Sequence, residues 1–564
     1  MIRHELERLI SEAVRKAQSA GDLPAVAVPD VSLERPQRPE HGDYASSLAL
    51  RLARSARMSP LETAEVIAKY LAVDETVASV DVVPPGFVNF RLTPSWLMTQ
   101  VDAILREGEH FGDAPLGQGQ RVQVEYVSAN PVGPIHVGNG RGLALGDTLA
   151  NVLAAAGYEV QREYLVNDAG TQTETFASTL YARYQQLFGR QVEIPEGGYP
   201  GEYMIRLAER LKEEKGDSLL APPGESYPQE VHDLGVERMM EVIKDDLAAL
   251  GVRYDRWFSE RSLYLPAGGH GAESVYEKAL AHLREGGFVT EREGAVWFSS
   301  SELGDERDNV LVRSTGAPTY FASDIAYHYD KFLLRGFQRV IDVWGADHQG
   351  HVPRMKAAAV ALGVDPEWLV IIIYQLVTLK RGAEMVRLSK RAGEIVTLRE
   401  VVDEVGADAV RFFFVGRAAD SHMDFDIELA KRQSAENPVY YVQYAHARIA
   451  GILAHAAERR DRQGIPSFDD GDVSLLTHES ELALIRKMLQ LPELVESIAL
   501  SLEPHQLPYY AMDLATAFHD FYEKCRVVSD DEALSKARLK LVAAAKLALS
   551  RALGLIGVSA PERM

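Results

Sequence analysis

Two short stretches of this sequence carry residue types suited to handling phosphate. The first is Ser128-Ala129-Asn130-Pro131-Val132-Gly133-Pro134-Ile135-His136-Val137-Gly138-Asn139-Gly140-Arg141-Gly142, a histidine among glycines just ahead of a segment with helical spacing. A helix N-terminus presents free backbone N–H groups and the positive end of its dipole, and glycines let an anion approach that backbone closely. The second is Arg387-Leu388-Ser389-Lys390-Arg391-Ala392-Gly393, three cations within five residues beside a serine and a glycine. That composition suits a loop closing on a polyphosphate, with lysine acting as a point charge rather than a fork. Gly138, Gly140 and Gly142, with Glu163 downstream, also fit a dinucleotide turn in part. Leu143, however, stands where the third glycine of Gly-x-Gly-x-x-Gly belongs, and His136 then has no task. Taken alone, the second stretch is an ordinary solvated basic loop; together the two point to phosphate chemistry.

Such residues need a scaffold that presents them at strand ends. Val122, Val124 and Tyr126 alternate as in a strand, and the helix after the glycine loop sets Leu145, Leu149, Val152 and Leu153 on one face before stopping at Gly157. Tyr158 to Val166 predicts a second strand, completing a β-loop-α-β unit. Further on, Arg339 to Trp344 predicts a strand and His351 to Leu362 a helix. The apolar run Leu369 to Ile373 predicts a strand buried on both faces. The two halves, split by a largely helical insertion at about 175–260, imply an α/β fold: a doubly wound, Rossmann-like parallel-sheet core over 111–400. Upstream, residues 1–110 predict a small α+β domain, with a helix over 1–20, helices at Ala45 to Ala56 and Pro60 to Ala72, and extended chain from Val80 to Leu92. Downstream, 401–564 predicts an almost wholly helical bundle with a polar loop from Glu458 to Ser474.

Composition sets the outer limits. At about 150 residues per domain, 564 residues suggest three or four domains, and 46% hydrophobic with 25% charged residues excludes wholesale disorder. A single cysteine excludes a disulfide framework and any multi-cysteine zinc or iron–sulfur site. Apolar runs fall short of the roughly 18 residues of a membrane span. His4, Glu5, Glu7 and Arg8 interrupt the first helix, so a secretory leader is not expected, and the expected location is the cytoplasm. A net charge of −22 argues against a nonspecific nucleic-acid binder but leaves room for one RNA partner held by local basic patches.

With those residues in view, the chain resembles class I aminoacyl-tRNA synthetases, whose two signatures are similar to His136-Val137-Gly138-Asn139 and Arg387-Leu388-Ser389-Lys390-Arg391. Other words resemble the arginyl-tRNA synthetase family: the loop Ser128 to Gly142, Pro318-Thr319-Tyr320-Phe321-Ala322-Ser323-Asp324, Gly345-Ala346-Asp347-His348-Gln349-Gly350-His351, Asn437 to Arg448, and the terminal Ser559-Ala560-Pro561-Glu562-Arg563-Met564. The resemblance runs the length of the chain. It implies ATP-dependent activation of L-arginine and transfer to tRNA(Arg) by a monomer, with Mg2+ accompanying ATP, no structural zinc and no membrane partner. It implies catalytic roles for His136, Asn139, Ser389 and Lys390, and ATP contacts from Gly138, Gly345, Asp347 and His351 as well. Arginine would be held by Ser128, Asn130, Glu260, Tyr320, Asp324 and Gln375. The tRNA would be met by Asn89 and Phe90 in the first domain and by Tyr444, Arg448, Tyr522 and Met564 in the last, where aromatics beside a cation suit stacking on splayed bases.

Two positions depart from the family pattern. Asn139 stands where a second histidine is usual, and an amide donates hydrogen bonds but carries no proton charge. Gly133 stands where many relatives have a lysine, whose charge Lys390 would then supply. A pair of histidines at i and i+3, His348 and His351, also has metal-ligand spacing, but no third ligand lies nearby in sequence. A cysteinyl enzyme is excluded by the cysteine count. A synthetase-like RNA-binding protein without catalysis is the remaining alternative, separated by whether ATP is turned over with arginine.

Overall fold

A computed structural model describes residues 1–222, 225–266, 272–382, 384–385, 396–463 and 468–564. At its centre lies a five-stranded, wholly parallel sheet in the order Leu369–Tyr374, Arg339–Gly345, Arg121–Tyr126, Glu159–Val166, Arg256–Ser259. The helix Val137–Ala155 crosses from Arg121–Tyr126 to Glu159–Val166 and is buried along most of its length. Small residues make that possible: a Cβ on Gly146 would sit 2.4 Å from Tyr126 Cβ. Gly146→Ala should therefore lower unfolding stability by about 1–3 kcal/mol through overpacking, read as a drop in the urea midpoint; an unchanged midpoint would show that helix and strand separate freely.

Four elements differ from expectation. Leu369–Tyr374 is an edge strand, and its middle four residues are only half-buried. Its apolar run reflects cover on one side by residues 501–505 of the C-terminal unit, around a cavity of about 270 Å³ lined by Val370, Ile372, Ile373, Leu502 and Pro504. The expected helix at Ala45 begins later, at Leu48, because Tyr44–Ser46 pairs as a strand with Phe87–Leu92. And the chain after Val401 is not wholly helical: Met423–Asp426 pairs in parallel with Val377–Arg381. The polar stretch from Glu458 is helical up to Gln463, as the end of Pro438–Gln463.

Between the halves of the core run the helices Thr171–Gln186, Glu202–Lys215 and Gln229–Ala249, then the last sheet strand and a small antiparallel sheet, Val289–Arg292, Ala295–Phe298 and Asn309–Val312. The N-terminal unit is a four-stranded sheet, Leu33–Glu34, Tyr44–Ser46, Phe87–Leu92 and Val77–Val83 in spatial order, with helices against it. It docks on the C-terminal helices: Arg35 forks onto Glu493 at 2.9 and 3.0 Å, and Arg486 meets Asp43 at 2.7 Å. The buried Arg411 ties the core to the last helix, pairing with Asp147 and donating to the Ile556 carbonyl at 2.9 Å. No described helix is long and apolar enough to cross a membrane.

Candidate active site

Ligands in open α/β sheets bind beyond the carboxyl ends of the strands, and every strand of this sheet ends in a candidate residue. Ser128, Asn130 and His136 follow Arg121–Tyr126, while Asn167 and Asp168 follow Glu159–Val166. Glu260 follows Arg256–Ser259, Asp347 and His351 follow Arg339–Gly345, and Gln375 follows Leu369–Tyr374. The chain leaves the central strand through Val127 and Ser128 at φ of 70° and 40°, a conformation side-chain-bearing residues rarely adopt. The turn is held from three sides: Ser128 Oγ donates to Glu125 at 2.9 Å, Leu165 N donates to Ser128 Oγ at 3.1 Å, and Tyr164 OH donates to the Ala129 carbonyl at 2.8 Å.

His136 caps the helix Val137–Ala155, its Nδ1 accepting from Gly138 N at 2.9 Å. With Nδ1 occupied as acceptor, the neutral ring carries its proton on Nε2, a donor at the positive end of the helix. Val137 N and Leu398 N pair with Val396 O and Ile135 O, so the chain that follows the basic stretch runs beside His136. Ser389 and Lys390 lie outside the described residues.

Glu260 and Asp324 form an acidic pair, near enough that the charge of Asp324 acts on Glu260. Glu260 is buried, and its Oε2 has no hydrogen-bond partner among the described residues. Burial pushes its carboxyl up to about 7, against the Ser323 hydrogen bond, with the charges of Asp324 and Asp168 adding to the rise. Burial likewise pushes Asp324 up to about 6, opposed by the charges of His328 and Arg354. Among the described residues neither carboxyl forms a salt bridge, and an unmet buried oxygen costs about 1–3 kcal/mol, more when it is charged. A planar, permanently charged guanidinium supplies what they lack. Tyr320 opens the helix that carries Asp324, one turn before it, and is exposed. Asn130 accepts from Asn167 at 2.6 Å and donates to Gln172 at 2.5 Å, and Gln375 N donates to Ala419 O at 2.9 Å.

Beneath this pocket lies a buried ionic floor. Lys331 Nζ donates to Glu125 at 2.6 Å and to Asp342 at 2.9 Å, and His328 Nε2 meets the other Asp342 oxygen at 2.9 Å. His328 Nδ1 lies 2.8 Å from the Asp324 carbonyl, so the floor touches both Asp324 and, through Glu125, Ser128. Sequence reasoning missed Lys331, although an aspartate inside Val340-Ile341-Asp342-Val343 signalled a buried partner. It also missed Arg141, whose fully buried guanidinium donates to the carbonyls of Gln375, Ala418 and Ser421 at 2.6–2.8 Å.

On the other side of the helix N-terminus, Gly345 and an exposed Asp347 precede the half-buried His351. Burial pulls the His351 ring below its ordinary value, with the charge of Arg354 adding to the fall. The His348 and His351 rings stand 5.6 Å apart, and among the described residues no third ligand joins them.

Far from this centre, Arg448 lies between Tyr444 and Tyr522, 4.9 and 5.2 Å from their rings, and Tyr440 stacks on Tyr444 at 6.2 Å. Tyr444, Tyr522 and Met564 are exposed. Met564 ends a tail whose Pro561 carbonyl is bonded by His446 on the same helix as Tyr444. In the N-terminal unit, by contrast, Asn89 and Phe90 are both buried. Phe90 is core, because strand parity turns it inward, and it offers no surface to a nucleic acid.

Comparison with known proteins agrees along the whole chain. Residues 4–92 match the family described as the arginyl tRNA synthetase N terminal domain. Residues 100–414 match the class I (R) tRNA synthetase catalytic domain, and 442–564 the DALR anticodon binding domain. An arginine–tRNA ligase of Dehalococcoides mccartyi is 53% identical over 98% of both chains. Another, of Carboxydothermus hydrogenoformans, is 47% identical over 99% of both. The solved arginyl-tRNA synthetase of Thermus thermophilus superposes with a TM-score of 0.75, at 26% identity and with both chains fully covered.

Proposed function

The chain belongs to the arginyl-tRNA synthetase family and charges tRNA(Arg) with L-arginine at the expense of ATP, and we propose that Glu260 and Asp324 hold the guanidinium while His136, Asn139 and Lys390 face the phosphates. The observation that carries this reading is the acidic pair: the buried Glu260 and the half-buried Asp324, both with raised pKa values, and a Glu260 oxygen without a hydrogen-bond partner among the described residues.

Arginine's charged end fills that pocket, with Tyr320 beside Asp324. Ser128, Asn130 and Gln375 hold its α-amino and carboxylate end at the mouth of the central strand. A carboxylate oxygen then attacks the α-phosphorus of ATP, forming the mixed anhydride arginyl-adenylate as the bond to pyrophosphate breaks. His136 Nε2–H, the Asn139 amide and the Lys390 ammonium, with Ser389, stabilise the charge developing on the phosphates; no protein nucleophile is needed. Gly138, Gly345, Asp347 and His351 frame the adenosine, and Mg2+ enters with ATP on the phosphates. In the second step a hydroxyl of the terminal ribose of tRNA attacks the anhydride carbonyl, giving arginyl-tRNA and AMP.

The outlying units take the tRNA in this reading. Residues 1–110 approach its outer part, with Asn89 a positioning residue inside that unit, and residues 401–564 take the anticodon on Tyr444, Arg448, Tyr522 and Met564. Residues 111–400 carry the chemistry. The enzyme works as a cytoplasmic monomer.

The test is charging of total bacterial tRNA with labelled arginine, lysine or cysteine in the presence of ATP and Mg2+. Arginine alone should become acid-precipitable with tRNA, because lysine leaves the two carboxylates unpaired, a difference worth about 10⁴-fold or more at sites of this kind. Comparable charging with lysine would remove Glu260 and Asp324 from the guanidinium role.

A further inference from the structure

Asn139 sits where relatives usually place a second histidine, and a tyrosine is packed on its helix one turn further along. It lies in the first turn of the helix Val137–Ala155, with Gly142 one turn further along the same face. Tyr374, the buried last residue of the edge strand, lies across that face. A Cβ on Gly142 would stand 2.5 Å from its ring and 3.0 Å from its hydroxyl. In the sheet Tyr374 is registered opposite Gly345, and a Cβ there would lie 3.8 Å from the same hydroxyl and 2.6 Å from Asp347 Oδ1. The hydroxyl is therefore placed between the signature helix and the Gly345–Asp347 turn.

We propose that Tyr374 is a positioning residue for Asn139: its hydroxyl accepts one N–H of the Asn139 amide and aims the other at the phosphates of ATP. An amide nitrogen has two hydrogens, so one can be fixed by the protein while the second serves the substrate. A histidine at this position would need only its ring orientation set; a short amide swings about its own axis and needs a tether. Burial raises the Tyr374 hydroxyl to about 12, with the Asp347 charge adding and the Asn139 hydrogen bond opposing, so it remains a neutral phenol during turnover. The two glycines are part of the device, since a side chain at 142 would push the ring away. Tyr374 is joined directly to Gln375, whose carbonyl Arg141 holds at 2.8 Å, so the tether cannot drift.

The inference rests on the reading of Asn139 as a phosphate-facing donor, and a double-mutant cycle separates the two. Full-length Tyr374→Phe, Asn139→Ala and the double variant are compared in single-turnover charging of tRNA(Arg), started with saturating ATP, with KM for ATP and melting temperature measured alongside. Asn139→Ala should slow the step by about a hundredfold. Tyr374→Phe, which keeps the ring on Gly142, should slow it by about tenfold or more, with KM for ATP and melting temperature nearly unchanged. The double variant should be no slower than Asn139→Ala alone. Tyr374→Phe at full rate, with Asn139→Ala slow, would overturn the tether and leave the role of Asn139 standing. Losses that multiply in the double variant would overturn it too, because Tyr374 would then act independently. Asn139→Ala at full rate would overturn both readings.

Discussion

Glu260→Gln or Asp324→Asn should raise KM for arginine by about a hundredfold or more, with a smaller change in kcat. Truncating one partner of a buried, hydrogen-bonded charge pair costs about 2–5 kcal/mol, or roughly 30- to several thousand-fold in affinity. The guanidinium stays charged at every accessible pH, so only the carboxyls titrate. With Glu260 raised to about 7 and Asp324 to about 6, acidification protonates the pocket, and KM for arginine should climb steadily as pH falls from about 8 to about 5.5. In the Gln and Asn variants that climb should flatten. An arginine KM that ignores both substitutions would sink the assignment.

The same groups predict an opposite effect on stability. Both carboxyls have folded-state values above their unfolded ones, so between about pH 4 and about pH 7 the native state binds more protons. The unliganded protein therefore loses stability as pH rises through that window, and arginine returns it by supplying the missing charge. Glu260→Gln should be at least as stable as the parent at about pH 8 while binding arginine worse. That pairing of gain and loss distinguishes a binding group from a structural one.

The phosphate-handling loop was legible because its chemistry is local: His136, Gly138 and Asn139 fall within one turn, and the strand before and helix after them have clean periodicity. The acidic pocket was not legible that way. Glu260 and Asp324 lie on separate elements far apart in the chain, and only the surrounding words raised them above other carboxylates of an acidic protein. Local pattern also misled. Leu369 to Ile373 has the composition of an interior parallel strand, yet it lies at the edge, and its apolar side faces another unit that periodicity cannot see. The four-residue strand Arg256–Ser259 was hidden at the end of a helical insertion, and Met423–Asp426 alternates with aspartates that give no strand signal. Phe90 was raised by the family resemblance alone, which names a position but not its burial, and its ring lies in the core of the N-terminal unit.

Lys331→Met is the stability counterpart of the pocket variants, and it should lower the unfolding free energy by about 3–5 kcal/mol, the cost of breaking a buried ion pair on one side only. Methionine fills nearly the same volume, so the loss comes from charge: among the described residues, Glu125 would keep only the Ser128 hydroxyl and Asp342 only His328. In the parent, the attraction of Lys331 and His328 outweighs burial and holds Asp342 down to about 2, so its contribution is present above about pH 4 and fades only as pH falls toward 2. Without the lysine, Asp342 and Glu125 should take up protons near neutrality, and the variant should gain more stability than the parent on mild acidification. Adding Glu125→Gln to Lys331→Met should recover part of the loss, because the second change removes the stranded charge. A loss below about 1 kcal/mol, or a pH profile parallel to the parent's, would mean that water or relaxation meets these charges instead. Because Glu125 holds Ser128 and His328 touches the Asp324 carbonyl, the variant should also raise KM for arginine at temperatures where it remains folded. The floor then acts on function through geometry, by fixing the strand ends that the pocket is built on.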